Sequence, residues 1–479
     1  MTNSKISKII LISIDNLRSD CLSANIDKSN LSIYKLDHLP ITPVLDSLSM
    51  KGTSFFNCYS AAPYTTASHA SILTGLFPIH HGVREYYRHG LSENVKTLFQ
   101  IFKSAGYITI LATDFPFLIG HNIGFTKSVD HFIVEDDVEI IRLLNTYQNE
   151  KIFLFVHFGS VHNPFGLTSL KIDGDYFEQQ VNDLGKKTEI PEQSFLEQEW
   201  IESSRTIREK LLRQRYFKCT DLMYQRRKYD KLMQLYIEGI EYFEMNRFKN
   251  FINQIQLFKN TFITILADHG EEYSDRAFGH YNGLWESIVK VPLIIIGKDI
   301  PKGQFNKTLC RTIDVAPTLL EAAGIDYPYK KFDGVSLLSC IQTGLSMKLV
   351  AKGETWFGKT QKILDFMSLC QSAGRLLKTG SMATTCMEYL RKDNWKLILI
   401  SDIELNKKKE LLFNIEMDPL EEKNIADQFP KITDSMRSEI ESVKNPQIGQ
   451  ALKLEMNQLS EIASGLKDIG YLQNIKTSK

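Results

Sequence analysis

The run KIILISID at residues 8–15 decides the fold class, because it is a continuous apolar stretch that ends on a carboxylate. It lacks the alternation of a strand with one face in water, which indicates a strand buried on both faces. Similar runs follow, separated by longer helix-compatible segments: YITILATD (107–114), KIFLFVHF (151–158), TFITILAD (261–268) and VPLIIIG (291–297). Strands that alternate with helices predict an α/β fold, in which a mostly parallel central sheet is flanked by helices on both faces.

The remaining sequence divides around this sheet. We predict a main α/β domain at residues 1–352, which contains a charged helical insertion at about 173–258. A small C-terminal α+β subdomain should follow at 353–445, with strands at NWKLILI (394–400) and ELLFNI (410–415), and then a polar helical tail at 446–479. A chain of 479 residues, 43% of them hydrophobic, is long enough for one large core and a subdomain.

Charge and cysteine content narrow the class of protein. The 57 Lys and Arg residues balance 57 Asp and Glu residues, so there is no basic excess to attract nucleic acid or a membrane surface. The seven cysteines are scattered and show no C-x-x-C spacing, which favours reduced thiols over disulfides or a zinc ribbon. No apolar stretch reaches membrane-spanning length and no secretory signal is recognisable, so we expect a cytoplasmic protein.

Four of the predicted strands carry a polar group at or near their C-terminal end: Asp15, Asp114, His157 and Asp268. In an open α/β sheet the ligand crevice lies outside the carboxyl ends of the strands, so these groups should share one edge. Asp15 and Asn16 offer oxygen atoms of the kind that hard divalent cations prefer. The alternative, that either residue only caps the next helix, stays open when these two residues are considered alone.

The segment APYTTASHASILTG at 62–75 places a hydroxyl at the start of a predicted helix. Pro63 keeps the preceding chain extended, Thr65 opens the helix and Gly75 closes it. A hydroxyl at this position lies among free backbone N–H groups at the positive end of the helix dipole. Such a setting binds phosphoryl or sulfuryl oxygens and stabilises an alkoxide. The alternative is an ordinary Thr N-cap.

A third motif, LADHGEE at 266–272, follows the last parallel-type strand. Asp268 and His269 leave this buried strand together and turn on Gly270, which is the pattern of an N/O metal half-site. A surface turn is the alternative, and the fully apolar strand that leads into the motif argues against it. His280 lies shortly afterwards in a glycine-containing loop, and as an isolated residue it is interpreted as structural.

Together these motifs resemble the sulfatase branch of the alkaline-phosphatase superfamily, and the similarity extends over nearly the whole chain. Residues 15–16 resemble the first metal motif of that family, and residues 268–270 resemble the second. Residues 65–75 resemble the signature element, usually C/S-x-P-S-R followed by an L-T-G ending. Later landmarks are also similar: KVPLIIIG (290–297), DVAPTLLEAAG (314–324) and the D-P-x-E-x-x-N core at 418–424.

Two departures from the family pattern change the expected chemistry. Thr65 stands at the nucleophile position, and it cannot supply the formylglycine that sulfatases of this family make from Cys or Ser. His69 stands where those enzymes keep an Arg. The pattern is closer to members with a Thr nucleophile, which are phosphodiesterases, phosphonate hydrolases and phosphotransferases. We therefore expect cleavage of a phosphoester, with a sulfuric ester hydrolase and a catalytically silent binding scaffold as alternatives.

The resemblance also implies a metal site. Asp15, Asp268 and His269 should hold one divalent ion (Mn²⁺, Mg²⁺, Ca²⁺ or Zn²⁺), with the oxygen of Thr65 as a further ligand. Asn16 is either a fourth ligand or a donor to the substrate. Coordination would make the hydroxyl a nucleophile at neutral pH, and a covalent Thr65 ester would form and then be released.

Histidines supply the remaining predicted roles. His69, His162 and His280 are candidate donors to the developing negative charge, and His162 or His280 would protonate the leaving group. His280, Asp114 and His157 are candidate ligands of a second ion, although the motif spacing favours one ion. We expect the substrate to be a small or glycan-linked anionic ester, and the sequence does not determine the oligomeric state.

Overall fold

The computed structural model describes residues 6–85, 89–165, 174–188, 205–255, 258–280, 283–328, 331–357, 385–403, 405–442 and 452–468. Seventeen strands lie in these residues. In chain order they are β1 (Lys8–Ile14), β2 (Thr53–Tyr59), β3 (His89–Gly90), β4 (Ile108–Thr113), β5 (His131–Val134), β6 (Ile152–Phe158), β7 (Thr261–Leu266), β8 (Glu272–Tyr273), β9 (Phe278–Gly279), β10 (Lys290–Ile296), β11 (Gln304–Asn306), β12 (Cys310–Arg311), β13 (Ala351–Phe357), β14 (Thr385–Lys392), β15 (Trp395–Asp402), β16 (Lys407–Asn414) and β17 (Leu452–Lys453).

The helices of the same residues are α1 (Pro43–Lys51), α2 (Thr65–Thr74), α3 (Pro78–His81), α4 (Leu98–Ser104), α5 (Asp137–Thr146), α6 (Gly174–Lys187), α7 (Arg205–Gln225), α8 (Tyr229–Phe243), α9 (Lys249–Ile255), α10 (Glu286–Val289), α11 (Val315–Ala322), α12 (Leu338–Thr343), α13 (Pro430–Glu441) and α14 (Met456–Asp468). A π-helical turn, Glu244–Phe248, joins α8 to α9. In the part of the chain that the structure describes, no helix combines the length and the apolar character that crossing a membrane requires.

The central sheet runs in the order β11-β2-β10-β7-β1-β6-β4-β5, with β12 beside β2. All its described pairings are parallel except those of β10, which is antiparallel to both β2 and β7. Every residue of β1 and β6 is buried, as expected for strands covered by helices on both faces. The predicted α/β class with a mostly parallel sheet is confirmed.

The carboxyl ends of β1, β6 and β7 lie at one edge of this sheet. These strands are parallel and in register, so that Ser13 pairs with His157 on one side and with Leu266 on the other. Residues that end or follow these strands therefore meet at this edge. We call it the rim, and define it by Asp15, Asn16, His157, Asp268 and His269.

The charged helical insertion packs against the rim end of β6. Three of its phenylalanine rings surround Phe158 with centroid distances of 5.4, 6.0 and 5.2 Å: Phe243, Phe248 and Phe251. Tyr236 of α8 reaches the end of β1, where its hydroxyl donates a hydrogen bond to the Asn16 carbonyl oxygen at 2.7 Å. The insertion is therefore a structural support of the rim.

Strands β13 to β16 form a separate antiparallel sheet at the C-terminal side. Helix α13 packs on one face, where Leu397, Leu412 and Met436 share a buried cluster. Strand β13 begins at Ala351, before the predicted start of the subdomain at residue 353. The strand was not predicted from its sequence AKGETWF, because polar residues and a glycine interrupt the apolar pattern.

The described part of the predicted polar tail packs onto the main domain. Strand β17 pairs antiparallel with β3, and α14 follows it. Leu454 and Ile462 are buried in the large core cluster. This return to the main domain was not predicted, because two short strands carry too little pattern to be recognised from the sequence.

Candidate active site

The rim holds two carboxylates and one imidazole that are close enough to bind a single ion. One oxygen of Asp15, one oxygen of Asp268 and one ring nitrogen of His269 lie within 4.8 Å of one another. His269 Nε2 is 3.3 Å from Asp268 Oδ2 and 3.7 Å from Asp15 Oδ1. All three side chains are completely buried. The structure thus brings together the three principal metal ligands that the sequence predicts.

Backbone geometry aims these groups at one point. Asp268 Oδ1 accepts hydrogen bonds from the backbone N–H of Asn16 at 3.0 Å and of His269 at 2.9 Å, which leaves Oδ2 directed toward the imidazole. The turn depends on Gly270, because a Cβ there would lie 2.2 Å from the carbonyl oxygen of Ser287. A larger residue at 270 would displace the metal motif.

The tautomer of His269 follows from its contacts. Nδ1 lies 3.1 Å from the carbonyl oxygen of Gly270, which can only accept, so the proton is on Nδ1. Nε2 then carries a lone pair that faces Asp15 and Asp268. A neutral imidazole with a free ring nitrogen is the form that binds metal ions.

The electrostatics of the rim fit a divalent cation. Three buried oxygens accept no hydrogen bond: Asp15 Oδ1, Asn16 Oδ1 and Asp268 Oδ2. Burial raises the pKa of Asp15, and burial together with the negative charge of Asp15 raises the pKa of Asp268 to about 7. Burial lowers the pKa of His269 to about 3, which keeps it neutral. Hard oxygens with one imidazole suit Mn²⁺, Mg²⁺, Ca²⁺ or Zn²⁺.

Thr65 begins α2 and directs its hydroxyl into the same group. Oγ1 donates to Asp15 Oδ2 at 3.3 Å and lies 3.5 Å from His269 Nε2. The preceding Tyr64 is extended, with φ −148° and ψ 151°, and Gly75 ends the helix with φ 68°. The predicted helix is therefore confirmed at both ends. Its first backbone N–H groups lie beside an alcohol that contacts Asp15 and His269, two of the residues that could hold an ion, and this environment suits the nucleophile predicted from the sequence.

His157 and Asp114 support the site instead of forming a second metal centre. His157 Nε2 donates to Asp15 Oδ2 at 3.0 Å, while its Nδ1 accepts from the hydroxyl of Thr113 at 3.0 Å. Asp114 accepts two hydrogen bonds from Arg247, at 2.6 and 3.0 Å. Both side chains are therefore engaged with protein partners, and among the described residues only Asp15, Asp268 and His269 lie close enough together to be recognised as a group that could hold an ion.

His69 requires a correction. The sequence suggests a substrate-binding donor, but the side chain lies completely buried beneath Thr65. Its Nδ1 donates to the carbonyl oxygen of Thr65 at 2.7 Å, and its Nε2 accepts from the hydroxyl of Ser13 at 2.8 Å. Burial lowers its pKa to about 3. With both ring nitrogens occupied, His69 holds the start of α2 and offers no donor to a substrate.

His162 and His280 lie next to the ion-binding group. The His280 ring stacks on His269 with a centroid distance of 4.1 Å, and the His162 ring meets His280 edge-on at 5.3 Å. His162 Nδ1 donates to the carbonyl oxygen of Asn163 at 2.7 Å. Burial lowers the pKa of His162 to about 4 and that of His280 to about 3. Their placement suits the predicted role in proton transfer, which stays a prediction.

Two residues at the site were not identified from the sequence. Glu271 accepts a hydrogen bond from Asn16 Nδ2 at 2.7 Å, and Tyr236 binds the Asn16 backbone from the insertion. Glu271 lies only three positions after Asp268, so proximity to the metal motif was an available signal. No sequence signal pointed to Tyr236, because its role depends on how α8 packs.

Comparison with known proteins adds an independent finding. The sulfatase family model matches residues 7–325. Arylsulfatase K of Mus musculus is 23% identical over 433 residues, covering 84% of this chain and 75% of the relative. An arylsulfatase of Clostridium perfringens is 24% identical over 405 residues, covering 70% and 78%.

Solved structures with the same fold include a protein bound to a sulfated sugar and a phosphonate hydrolase. A protein solved in complex with its substrate D-glucosamine-2-N,6-O-disulfate aligns with a TM-score of 0.66 and 17% identity, over 95% of this chain and 99% of that chain. The phosphonate monoester hydrolase of Agrobacterium radiobacter aligns with a TM-score of 0.60 and 17% identity, over 91% and 95%. At this identity the structural similarity establishes the fold.

Proposed function

The chain belongs to the sulfatase family of ester hydrolases, and from this premise we propose that it hydrolyses a sulfuric ester with the unmodified hydroxyl of Thr65 as the nucleophile. One observation carries the proposal: Thr65 Oγ1 lies within 3.5 Å of both Asp15 Oδ2 and His269 Nε2. The relatives named arylsulfatases support a sulfuric ester over the phosphoester that the sequence alone favours.

The residues of the rim would divide the chemistry between them. A bound divalent ion supplies acidification of the alcohol and neutralisation of substrate charge. The Thr65 hydroxyl donates to Asp15 Oδ2, so this oxygen receives its proton. Oγ1 attacks sulfur while the bond from sulfur to the ester oxygen breaks, which leaves O-sulfated Thr65 and an alkoxide. The alkoxide takes a proton from His162 or His280, whose protonated form the substrate anion favours.

Water completes the cycle. It attacks the sulfur of the Thr65 ester and gives one proton to His162 or His280, the bond between sulfur and Oγ1 breaks, sulfate leaves, and Oγ1 regains the proton held by Asp15. The hydrate of a formylglycine aldehyde carries two hydroxyls on one carbon, whereas Thr65 carries a single hydroxyl. Release of sulfate from Thr65 therefore depends on attack by a water molecule. Turnover of the covalent ester is therefore the step that we expect to limit the rate.

Phosphoester or phosphonate cleavage is the second candidate. Thr65 itself favours cleavage of a phosphorus ester, since water can release phosphate from a phosphorylated threonine without any modification of the side chain. The phosphonate monoester hydrolase among the structural neighbours shows that this fold accommodates such chemistry. A phosphorus ester would follow the same steps, with attack at phosphorus.

A substrate panel separates these candidates. Purified protein is stripped of metal, reloaded in turn with Mn²⁺, Mg²⁺, Ca²⁺ or Zn²⁺, and assayed on an aryl sulfate, a diaryl phosphate and an aryl phosphonate. We expect the highest kcat/KM for the aryl sulfate. We expect no activity on any substrate when the metal ion is absent. Preference for either phosphorus ester would transfer the assignment to the second candidate. The absence of turnover with every ion and substrate would favour the alternative of a catalytically silent binding scaffold.

The natural substrate is proposed to be a small or glycan-linked sulfate ester. The structural neighbour solved with a sulfated glucosamine as its substrate supports this class. The cytoplasmic location expected from the sequence stays a prediction.

A further inference from the structure

We infer that Arg247 of the helical insertion is a positioning residue for His162, because it fixes the segment 159–162 that places this imidazole next to the ion-binding group. The inference rests on the proposed function, in which His162 or His280 protonates the leaving group. It gives the insertion a part in the reaction in addition to its packing against the rim.

The first step concerns what holds Arg247. It lies in the π-helical turn Glu244–Phe248, and turns of this kind are frequent at functional sites. Its guanidinium donates to both oxygens of Asp114, at 2.6 and 3.0 Å, and to both oxygens of Asp137, at 2.8 and 2.7 Å. The guanidinium carbon also lies 4.7 Å from the centre of the Phe158 ring. Two carboxylates and an aromatic ring therefore fix this buried guanidinium in one position.

The second step leads from the guanidinium to the backbone of the segment. Asp114 Oδ2 accepts from Arg247 and also from the backbone N–H of Gly159, at 2.8 Å. Arg247 Nη1 donates to the hydroxyl of Ser160 at 3.2 Å. The backbone N–H of His162 donates to the carbonyl oxygen of Gly159 at 3.1 Å, which closes a turn over residues 159–162. Arg247 thus holds the first two residues of this turn, one through Asp114 and one directly.

The third step leads from the turn to the imidazole. His162 Nδ1 donates to the carbonyl oxygen of Asn163 at 2.7 Å, so the ring is tied to the adjacent backbone. The turn also passes close to Phe115, because a Cβ at Gly159 would lie 2.6 Å from that ring. Phe115 meets the His162 ring edge-on, with a centroid distance of 5.6 Å. The position of the imidazole therefore follows from the position of the turn, and a turn released by Arg247 would let the imidazole move.

A double-mutant cycle on two esters tests the inference. The phenyl and 4-nitrophenyl esters of the class that the substrate panel favours are compared, because phenoxide is the more basic leaving group and depends more on a proton donor. Arg247→Met should lower kcat/KM by about 100-fold for the phenyl ester and by less than about tenfold for the 4-nitrophenyl ester. A residue that only stabilises the fold would lower both values equally.

The cycle also shows whether Arg247 acts through His162. His162→Ala alone should give the same preference for the better leaving group. Adding Arg247→Met to His162→Ala should then lower kcat/KM for the phenyl ester by less than about twofold, because the group that Arg247 positions is already absent.

Hydrogen exchange provides a readout that needs no ester. In the wild type the N–H groups of Gly159 and His162 both donate within the structure, and the first of these bonds depends on Asp114. Arg247→Met should speed exchange of the backbone N–H groups at 159–162 by at least about tenfold. Mass spectrometry of the full-length protein measures this rate.

Arg247→Lys is the conservative variant. Lysine keeps the positive charge but offers one nitrogen, whereas Arg247 uses three, so both effects should be smaller and in the same direction. Arg247→Lys also takes the place of Arg247→Met if circular dichroism shows that the latter does not fold.

Arg311→Met is the matched control. Arg311 is also a nearly buried arginine that donates to both oxygens of one carboxylate, Asp314, at 2.7 and 3.1 Å. It lies on β12 beside β2, on the other side of β1 from β6. Its loss should lower kcat/KM alike for the two esters and leave exchange at 159–162 unchanged.

The outcomes separate the inference from the proposed function. Equal losses on the two esters, additive losses in the double variant or unchanged exchange at 159–162 would overturn the inference. An unchanged ratio of the two esters in His162→Ala would overturn it as well, since His280 would then be the donor. Absence of turnover on every ester, together with faster exchange in Arg247→Met, would overturn the proposed function alone.

Discussion

Two clusters of buried charged groups in this molecule balance their charge in different ways. At the rim, Asp15 and Asp268 face neutral imidazoles. Between the main domain and the C-terminal sheet, Lys396 Nζ lies 3.0 Å from a carboxylate oxygen of Glu286 and 2.8 Å from one of Glu421. All these side chains are buried almost completely. We call the second group the interdomain cluster.

The pKa values express the difference. Burial alone would raise the pKa of Glu286, but the positive charges of Lys396 and Arg391 outweigh it, and the pKa falls below its usual value. Burial still raises the pKa of Glu421 beside the same ammonium group. At the rim, the ionisable side chains in contact with Asp268 among the described residues are the neutral imidazoles of His69 and His269, and the pKa of Asp268 rises to about 7. The protein supplies its own cation to one cluster, and the rim is suited to receive one from solution.

The largest expected effect tests whether the rim is a reaction centre at all. Thr65→Ala removes the hydroxyl that contacts both Asp15 and His269, so kcat should fall by at least about 10³-fold, or about 4 kcal/mol of barrier. Steady-state assay on the best substrate of the panel measures this. Thr65→Ser keeps the hydroxyl and serves as the control, and full activity in Thr65→Ala would refute the nucleophile.

The next effect tests whether the interdomain cluster is purely structural. Lys396→Met removes the buried ammonium group that contacts both carboxylates, which should cost about 3–5 kcal/mol of unfolding free energy. Urea denaturation measures the loss. The Kd for Mn²⁺ should stay within twofold of the wild type, and a large change in that Kd would contradict the separation of the two clusters.

Metal removal should lower the stability of the folded protein through the rim and not through the interdomain cluster. An ion at 100 times its Kd stabilises the folded state by about 2.7 kcal/mol, because it binds the native rim and not the unfolded chain. Thermal unfolding with and without chelator measures this shift. Lys396→Met should show the same increment, and Asp268→Ala should show none. An identical melting temperature with and without the ion in the wild type would argue against the site.

The smallest expected effect is the pH dependence of the stability of the metal-free protein. Asp268 has a folded pKa of about 7 against an ordinary value of 3.8, so the metal-free folded protein holds this proton between about pH 4 and pH 7 and the unfolded chain releases it. The contribution of Asp268 to stability is therefore lost as pH rises through that window, by at most about 1.4 kcal/mol per unit.

Comparison of wild type with Asp268→Asn isolates this contribution from that of other carboxylates. The stability of the metal-free wild type relative to the variant should fall between pH 4 and pH 7, and saturating Mn²⁺ should abolish or reverse the trend. A relative stability that is flat with pH would show that Asp268 has an ordinary pKa, and would remove the contrast with the interdomain cluster.

Much of the fold was predictable because buried parallel strands have a strong local signal. The runs at residues 8–15, 151–158 and 261–268 contain the observed β1, β6 and β7, since a strand covered on both faces must be apolar throughout. Strand β13 and the pairing of β17 with β3 were not predicted, because their residues are mixed and their partners are distant in sequence.

The sequence by itself determined which side chains follow the ends of the strands and that Thr65 begins a helix. The strand order of the folded sheet, with β7 parallel to β1 and beside it, then makes Asp15 and Asp268 neighbours. Only the tertiary structure decided the orientation of each side chain within the rim. His69 lies beneath Thr65, His157 supports Asp15, and Glu271 faces Asn16. The physical reason is that strand position is fixed by local pattern, whereas the partner of a buried polar atom depends on packing across more than 50 residues of sequence separation.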